Sequence, residues 1–378
     1  MKEQITGRQA MCIMAMFITG SSLIVGPSNE AERDSWLGIL IGMAFALPVL
    51  FIYARMKKLQ PDMNLYDIFI WIFGKVIGKI LVALYTWYAF FLGGLVTRNF
   101  SEFVGVEAFV ETPRFVMVLF IGLIAIYAVK SGLETVGRWS TIFLVVLAAV
   151  TILVTLFGIP LYKIENLTPI AENGIGPLLE GGYSIFAYPF AETIIFSLAL
   201  CTLKPKANVY KVYYGALGIA AALLVTGTLR DEMILGMPLY MKLYHPSYIS
   251  TSVISLGDFF FRFEIVVGVA FLLCGLVKIL VLMMATSKGM AKLFDIQDHK
   301  KIIAPVGLLI ILLSIIIYGS TMENVGWFTY FRYYTIPFQV IIPPIIWIIA
   351  EIKTRREKKI QTPPKPAPAR PEGKGPAY

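Results

Sequence analysis

The sequence predicts an all-α integral membrane protein with ten transmembrane helices, arranged as a 5+5 inverted repeat in which the first and sixth helices are broken. Of its 378 residues, 57% are hydrophobic and 15% are charged, whereas soluble globular proteins carry roughly 25% charged residues. Long apolar segments recur along nearly the whole chain, and about 20 apolar residues cross a bilayer. These observations place residues 1–352 in one membrane domain.

Ten candidate spans emerge when the apolar segments are compared with the thickness of a bilayer. They cover residues 6–30, 36–56, 78–103, 114–129, 137–160, 183–203, 210–229, 258–286, 302–319 and 334–350. The loop 161–182 is expected to hold a short interfacial helix, and 231–257 an outer loop with a surface helix. Repeats of about 6–160 and 183–350 each contain five spans, and an odd number gives them opposite orientations.

Basic residues set the predicted orientation. Most of the 33 Lys and Arg residues fall on the side that holds both termini, so we expect both termini to be cytoplasmic. The basic, proline-rich segment 353–378 predicts a disordered tail. This tail either lies against anionic headgroups or docks a cytoplasmic partner. The net charge of +9 therefore belongs to loops and tail and does not indicate nucleic-acid binding.

The first span is interrupted by the small residues Gly20, Ser21 and Ser22 and stopped by Gly26 and Pro27. Each unsatisfied backbone group costs several kcal/mol in hydrocarbon, so an open backbone persists only where it faces protein or a wet cavity. Interrupted spans at matching places in two halves of a chain indicate a ligand site. The sequence therefore predicts a break at Gly20 and a ligand site beside it.

The sixth span contains Tyr188 and Pro189 close to its middle. Proline lacks an N–H and clashes with the preceding turn, which predicts a second break. The positive dipole ends and free carbonyls of two broken helices suit a small zwitterion such as an amino acid. Glu192 lies one turn farther along and either faces a pathway as a proton or charge relay or pairs structurally.

Lys278 is the charged residue of an otherwise uncharged segment, 266–284. Its ammonium group either extends to the cytoplasmic interface or is buried beside a carbonyl or carboxylate partner. In the second case it takes the place of a coupling cation near the first break and could carry a proton. Tyr88 is either a pocket wall or an ordinary packing residue.

The remaining reactive residues indicate no catalytic or metal site. Cys12, Cys201 and Cys274 fall in apolar runs without metal-ligand spacing and are expected to be small buried residues. Asp258 and Arg262 are spaced for pairing at a helix end. Because no nucleophile–base pair, phosphate loop or metal cluster is evident, we predict that the protein is not an enzyme and needs no cofactor.

Five motifs, in order along the chain, resemble the B subunits of spore germinant receptors, the GerAB-type spore permease family. These motifs are GSSLIVGP, ERDSWLGILIG, TRNFSEFV, IENLTPIAENGIGPLLEG and FFRFEIVVGVAFLLCGLVKI. The resemblance extends over roughly residues 5–352. It implies the LeuT-like fold of the amino acid–polyamine–organocation transporter superfamily. It also implies an integral protein of the spore inner membrane, with germinant receptor A and C subunits as partners.

The resemblance further implies a ligand pocket between the first, third, sixth and eighth spans. Carried onto this chain, the pocket comprises Gly20, Ser21, Ser22, Tyr88, Leu92, Tyr188, Pro189, Lys278 and Leu282. Two functions fit such a pocket. The first is a sensor that binds a small germinant, expected to be an amino acid, and signals to partner subunits. The second is a proton-coupled amino-acid transporter. Since one fold serves both functions, the sensor is favoured by the resemblance alone.

Overall fold

The computed structural model describes residues 4–26, 30–200, 203–204, 207–254 and 262–361, and regular structure in these ranges is helical apart from one β-bridge between Ile5 and Leu203. The α-helices are α1 (Gly7–Val25), α2 (Ser35–Leu59), α3 (Leu65–Glu107), α4 (Arg114–Lys130), α5 (Leu133–Gly158), α6 (Ile175–Ile185), α7 (Ile194–Ala199), α8 (Val209–Leu235), α9 (Met237–Tyr240), α10 (Pro246–Ser252), α11 (Phe263–Leu293), α12 (Ile303–Ile316), α13 (Thr321–Tyr334) and α14 (Ile342–Gln361). The predicted all-α class is confirmed.

The protein is an integral membrane protein by the length and apolarity of its helices. In the described ranges, seven helical segments are long and apolar enough to cross a bilayer, namely α2, α3, α5, α8, α11, α12 and the unit formed by α13 and α14. The other predicted spans correspond to α1, to α4 and to the interrupted segment that contains α6 and α7. The count of ten spans in two repeats of five therefore stays a prediction.

The predicted break in the first helix is wrong, because α1 is α-helical from Gly7 to Val25. A side chain at Gly20 would lie 3.1 Å from the carbonyl oxygen of Cys274 and 3.2 Å from Cβ of Lys278. Gly20 thus allows α1 to pack closely on α11 and does not open the backbone. The helix ends at Gly26, whose φ of 80° suits glycine; Pro27 lies outside the described residues.

The predicted break in the sixth span is confirmed. Helix α6 ends at Ile185, a π-type turn follows over Phe186–Phe190, and α7 begins at Ile194. Within the turn, Tyr188 has extended backbone angles (φ −143°, ψ 106°), because the proline that follows disfavours helical angles at this position. The chain thus changes direction in the middle of the buried core.

Several predicted boundaries are wrong, and at the end of α8 the reason is that polar residues are buried by neighbouring segments. Helix α6 begins at Ile175, so the expected interfacial helix is part of the sixth span. The range of α3 begins at Leu65 and is capped by Asn64, but Gly74 within it has non-helical angles (φ 75°, ψ −174°), so the helix that follows this kink begins close to the predicted residue 78. Helix α8 continues to Leu235, so its last turns belong to the span and not to the outer loop.

Other helix boundaries and one ion pair also differ from the prediction. Helix α11 continues to Leu293, and helix α13 adds a helical segment before the predicted tenth span. The expected surface helix in 231–257 is corrected to two short helices, α9 and α10, of which α10 is largely buried against α8 and α11. Arg262 pairs with Glu264 at 3.1 Å. Its predicted partner Asp258 lies outside the described residues, as does Cys201, whereas Cys12 and Cys274 are buried and free, as expected. The predicted disordered tail is corrected at its start, because residues 353–361 are helical as the end of α14; the rest of the tail lies outside the described residues.

Helices α1 and α11 form the centre of the molecule. Helix α1 packs against α5, α8 and α11, and α11 also packs against α3, α4 and α7. The side chains from Ile13 to Ile18 on α1 are fully buried. Helices α4 and α5 instead expose large apolar side chains such as Phe120 and Val145, which suits contact with lipid. The sixth-helix turn therefore lies against the most buried part of the protein.

Candidate functional site

The sixth-helix turn exposes backbone carbonyls to neighbouring side chains. Pro189 cannot donate a backbone hydrogen bond, so the regular ladder is interrupted here. The carbonyl oxygen of Ala187, before the turn's extended residue, accepts a hydrogen bond from Nε2 of Gln339 at 3.0 Å. The carbonyl oxygen of Ala191 lies 3.4 Å from the Tyr53 hydroxyl group. The carbonyl oxygen of Ala187 is thus satisfied by a side chain, and that of Ala191 accepts a hydrogen bond from the backbone N–H of Ile194.

A buried ion pair lies directly beside this turn. Nζ of Lys278 is 2.6 Å from Oε2 of Glu192, and both side chains are fully buried. The same ammonium group lies 5.1 Å from the ring centroid of Phe17 and 4.7 Å from that of Tyr188, at distances suited to cation–π attraction. Of the two arrangements open for Lys278, the structure therefore has the buried one, with a carboxylate partner.

Glu192 keeps one oxygen for another contact. Its Oε1 atom is buried and has no hydrogen-bond partner among the described residues. The hydroxyl oxygen of Ser22 on α1 is likewise buried without a partner in that part of the chain. Leaving a buried polar group unsatisfied costs about 1–3 kcal/mol. Such groups beside an interrupted helix are therefore candidates for contact with a ligand.

The structure brings most of the predicted site residues to one region, although not all into one cavity. Tyr88 is fully buried, accepts a hydrogen bond from Gln339 at 2.8 Å and stacks on Phe338 with ring centroids 4.8 Å apart. Gly20 touches the backbone and side chain of α11 near Lys278. Leu282 is fully buried one turn farther along α11. The side chain of Ser21 is outside the described part of the structure.

Leu92 and Tyr188 line a small cavity beside the turn. Its other lining residues are Leu95, Val96, Asn99, Asn324, Trp327 and Phe331. The cavity volume of about 10 Å³ accommodates roughly one water molecule. The cavity is therefore closed in this structure and too small for a molecule of the size of an amino acid.

A buried polar network lies at the end of this cavity that Asn99 and Asn324 line. Oδ1 of Asn99 accepts hydrogen bonds from the Tyr318 hydroxyl group at 2.8 Å and from Nδ2 of Asn324 at 2.9 Å. Nδ2 of Asn324 also donates to the Tyr244 hydroxyl group at 3.0 Å. Arg98 pairs with Glu102 at 3.2 Å one turn farther out. The network thus links α3, α13 and the segments that precede α10 and α13.

Removing the amide at the centre of this network should destabilise the protein. We expect Asn324→Ala to lower the free energy of unfolding by about 1–3 kcal/mol, because Asn99 and Tyr244 would lose a buried hydrogen-bond partner. The measurement is thermal unfolding in detergent. Thr329→Ala is the control, because Thr329 is exposed on the same helix. Equal stability of the two variants would contradict a structural role for the network.

Sequence reasoning missed the contribution of the tenth helix. A π-type turn over Pro337–Ile341 separates α13 from α14 and places the fully buried Gln339 against the sixth-helix turn. Tyr53 on α2 joins the two turns, because its hydroxyl group, 3.4 Å from the carbonyl oxygen of Ala191, donates to the carbonyl oxygen of Gln339 at 2.8 Å. The available signal was a single amide in the otherwise apolar run 336–350.

Comparison with known proteins confirms the resemblance to spore germination proteins. A family model described as "Spore germination protein" matches residues 4–321. Spore germination protein KB of Bacillus subtilis (strain 168) is 26% identical over 364 residues, which cover 95% of this chain and 97% of that protein. Spore germination protein A2 of the same organism is 28% identical over 179 residues, 45% of this chain and 48% of that protein.

Two solved transporter structures share the fold. The chain is similar to Mhp1, a nucleobase-cation-symport-1 family transporter in a closed conformation with bromovinylhydantoin bound, with a TM-score of 0.73 and 13% identity over 94% of this chain and 80% of that one. It is also similar to MhsT in complex with L-phenylalanine, with a TM-score of 0.66 and 13% identity over 93% and 90%. The predicted LeuT-like architecture is confirmed at the level of the overall fold.

Proposed function

Since the chain belongs to the spore germination protein family, we propose that it is the germinant-sensing subunit of a spore germination receptor. In this proposal it binds a small molecule, an amino acid, at mid-membrane beside the sixth-helix turn. It then signals to the A and C subunits of the receptor. Its location is the inner membrane of the spore, with both termini on the core side.

The observation that carries this proposal is the buried Glu192–Lys278 pair beside the closed cavity. The pair is neutral as a whole, so a ligand of zero net charge can enter without leaving an uncompensated charge in the interior. The ammonium group of an amino acid matches the free Oε1 atom of Glu192, and its carboxylate matches the ammonium group of Lys278. Sugars and nucleosides lack this charge pattern.

Sensing requires the ligand to bind one conformation better than another. The closed cavity has room for about one water molecule, so the ligand must favour a more open arrangement. A ligand that shifts a two-state equilibrium from 1:99 to 99:1 must prefer one state by about 10⁴-fold. Partner subunits that contact the moving helices would then receive the signal.

Filling the cavity should weaken the response to the ligand. We expect Leu92→Trp to raise the amino-acid concentration needed for half-maximal germination by about 10- to 100-fold, because overpacking costs about 1–3 kcal/mol. The measurement is the dose–response of spores that carry the variant, with receptor assembly checked by immunoblot. Leu123→Trp is the control, because Leu123 is exposed on α4. Equal dose–response curves would place the ligand elsewhere.

A second function, proton-coupled amino-acid transport, is favoured by the similarity to two transporters and by the buried acid–base pair. The test is net uptake of radiolabelled amino acid by vesicles that contain this chain alone, with and without an inward proton gradient. Sustained accumulation driven by the gradient would establish transport and reject a pure sensor. Binding without accumulation is the result expected of the sensor.

A further inference from the structure

The turn in the tenth helix is hydrogen-bonded to the turn in the sixth helix. Gln339 donates from Nε2 to the carbonyl oxygen of Ala187 at 3.0 Å and to the Tyr88 hydroxyl group at 2.8 Å. The Tyr53 hydroxyl group donates its one proton to the carbonyl oxygen of Gln339 at 2.8 Å and lies 3.4 Å from the carbonyl oxygen of Ala191. The carbonyl oxygen of Ala187 is thus held by a side chain of the tenth-helix turn.

These contacts bear on whether the site is open or closed. Gln339, Tyr53 and Tyr88 are fully buried, so water does not replace their hydrogen bonds when one is broken, and breaking one leaves an unsatisfied polar group. The sixth-helix turn cannot move away from the tenth helix without that loss. The same region borders the closed cavity through Tyr188. The contacts therefore favour the closed arrangement.

We propose that Gln339 is a positioning residue that holds the ligand-free site closed, and that opening requires its side chain to leave the carbonyl oxygen of Ala187. This inference rests on the proposed ligand site at the sixth-helix turn and adds its regulation. Gln339 acts through the backbone of the turn. The strength of its hydrogen bond to Ala187 sets the fraction of molecules whose site is open, and the apparent affinity for the ligand scales with that fraction.

The same turn is positioned to pass the movement to the inner face. Helix α14 follows directly after Pro337–Ile341 and runs to Gln361. At the middle of α14, Glu351 accepts two hydrogen bonds from Arg55 of α2 at 3.0 and 2.7 Å. Since Tyr53 of α2 already binds the turn, α2 and α14 are joined at two levels. A displaced Gln339 would therefore move this pair of helices together.

Cysteine accessibility tests this role of Gln339, called the clamp below, without any ligand. Leu92→Cys places a thiol in the cavity wall, in a chain whose Cys12, Cys201 and Cys274 are replaced by serine. The full receptor in membranes is treated with a small maleimide. We expect the thiol to be labelled about tenfold faster in the Gln339→Met variant, the ratio that corresponds to 1.4 kcal/mol. In the Tyr88→Phe variant we expect a smaller increase in the labelling rate, because this substitution removes one of the two acceptors of the Gln339 amide.

Tyr85→Phe is the matched control. The Tyr85 hydroxyl group donates to the carbonyl oxygen of Phe338 at 2.7 Å, so this variant loses a buried hydrogen bond to the same turn without touching the sixth helix. We expect its labelling rate to equal that of the parent. Equal acceleration in Tyr85→Phe and Gln339→Met, or no acceleration in Gln339→Met, would overturn the clamp.

The dose–response to amino acid separates this inference from the proposed function. A clamp predicts that Gln339→Met spores respond at about tenfold lower amino-acid concentration than the parent. A higher threshold would overturn the clamp, because it would make Gln339 a group that favours the bound state. If labelling accelerates as expected while no amino acid acts on parent spores, the clamp stands and the proposed function fails.

Discussion

Lys278→Ala should lower the free energy of unfolding by about 3–5 kcal/mol, because it leaves the fully buried Glu192 without its cation. The loss of the cation–π contacts with Phe17 and Tyr188 adds to this effect. The measurement is thermal or denaturant unfolding of the purified protein in detergent. Lys292→Ala should cost less than about 1 kcal/mol, because its pair with Asp67 is partly exposed.

A double variant separates the cost of an unpaired charge from the value of the pair. Glu192→Gln combined with Lys278→Met removes both charges, and we expect it to recover much of the stability that Lys278→Ala loses. The ligand response should be absent in the double variant, since both complementary charges are gone. A double variant less stable than Lys278→Ala, or a Lys278→Ala protein as stable as the wild type, would contradict the buried pair.

The second large effect is expected at Gly20. Gly20→Leu introduces a side chain where Cβ alone would lie 3.1 Å from the carbonyl oxygen of Cys274. We expect α1 and α11 to separate, with a loss of about 1–3 kcal/mol from overpacking and loss of the germination response. Unfolding and spore dose–response are the measurements. Gly218→Leu is the control, because a Cβ atom at Gly218 would have no heavy atom within 4 Å. A Gly20→Leu protein with the stability and response of the Gly218→Leu protein would contradict close packing of α1 on α11.

The two helix breaks show which sequence signals determine backbone geometry. Pro189 removes a donor and restricts the residue before it, so its effect is local and the break was predictable. Small residues such as Gly20 permit either an open backbone or close helix packing. The choice depends on the neighbouring helix, here α11 at Cys274 and Lys278, and that neighbour is not encoded in the first span.

The residues of the site were predictable singly, but their partners were not. Glu192 and Lys278 stood out as charges in apolar segments, which indicated function or pairing. Their separation of 86 positions hid the fact that they form one pair. Gln339 was equally unusual in its segment, yet its role depends on a turn in the tenth helix that meets the turn in the sixth.

Helix lengths were underestimated for a related reason. A hydropathy threshold ends a span at its first cluster of polar residues, whereas neighbouring helices cover polar ends in this fold. The last turns of α8 contain Arg230, Asp231 and Glu232, all buried. Asp231 accepts hydrogen bonds from Ser247 and Ser250 of α10, so the helix continues through residues that a bilayer alone would exclude.

The most direct test of a ligand site at the sixth-helix turn is the thermal stability of the purified wild-type and Leu92→Trp proteins against a panel of amino acids, sugars and nucleosides. A ligand that binds only the folded state adds about 2.7 kcal/mol of stability at 100 times its dissociation constant. The proposed site predicts that one or more amino acids stabilise the wild type and not Leu92→Trp. Equal stabilisation of both proteins, or no effect of any amino acid on the wild type, would contradict it.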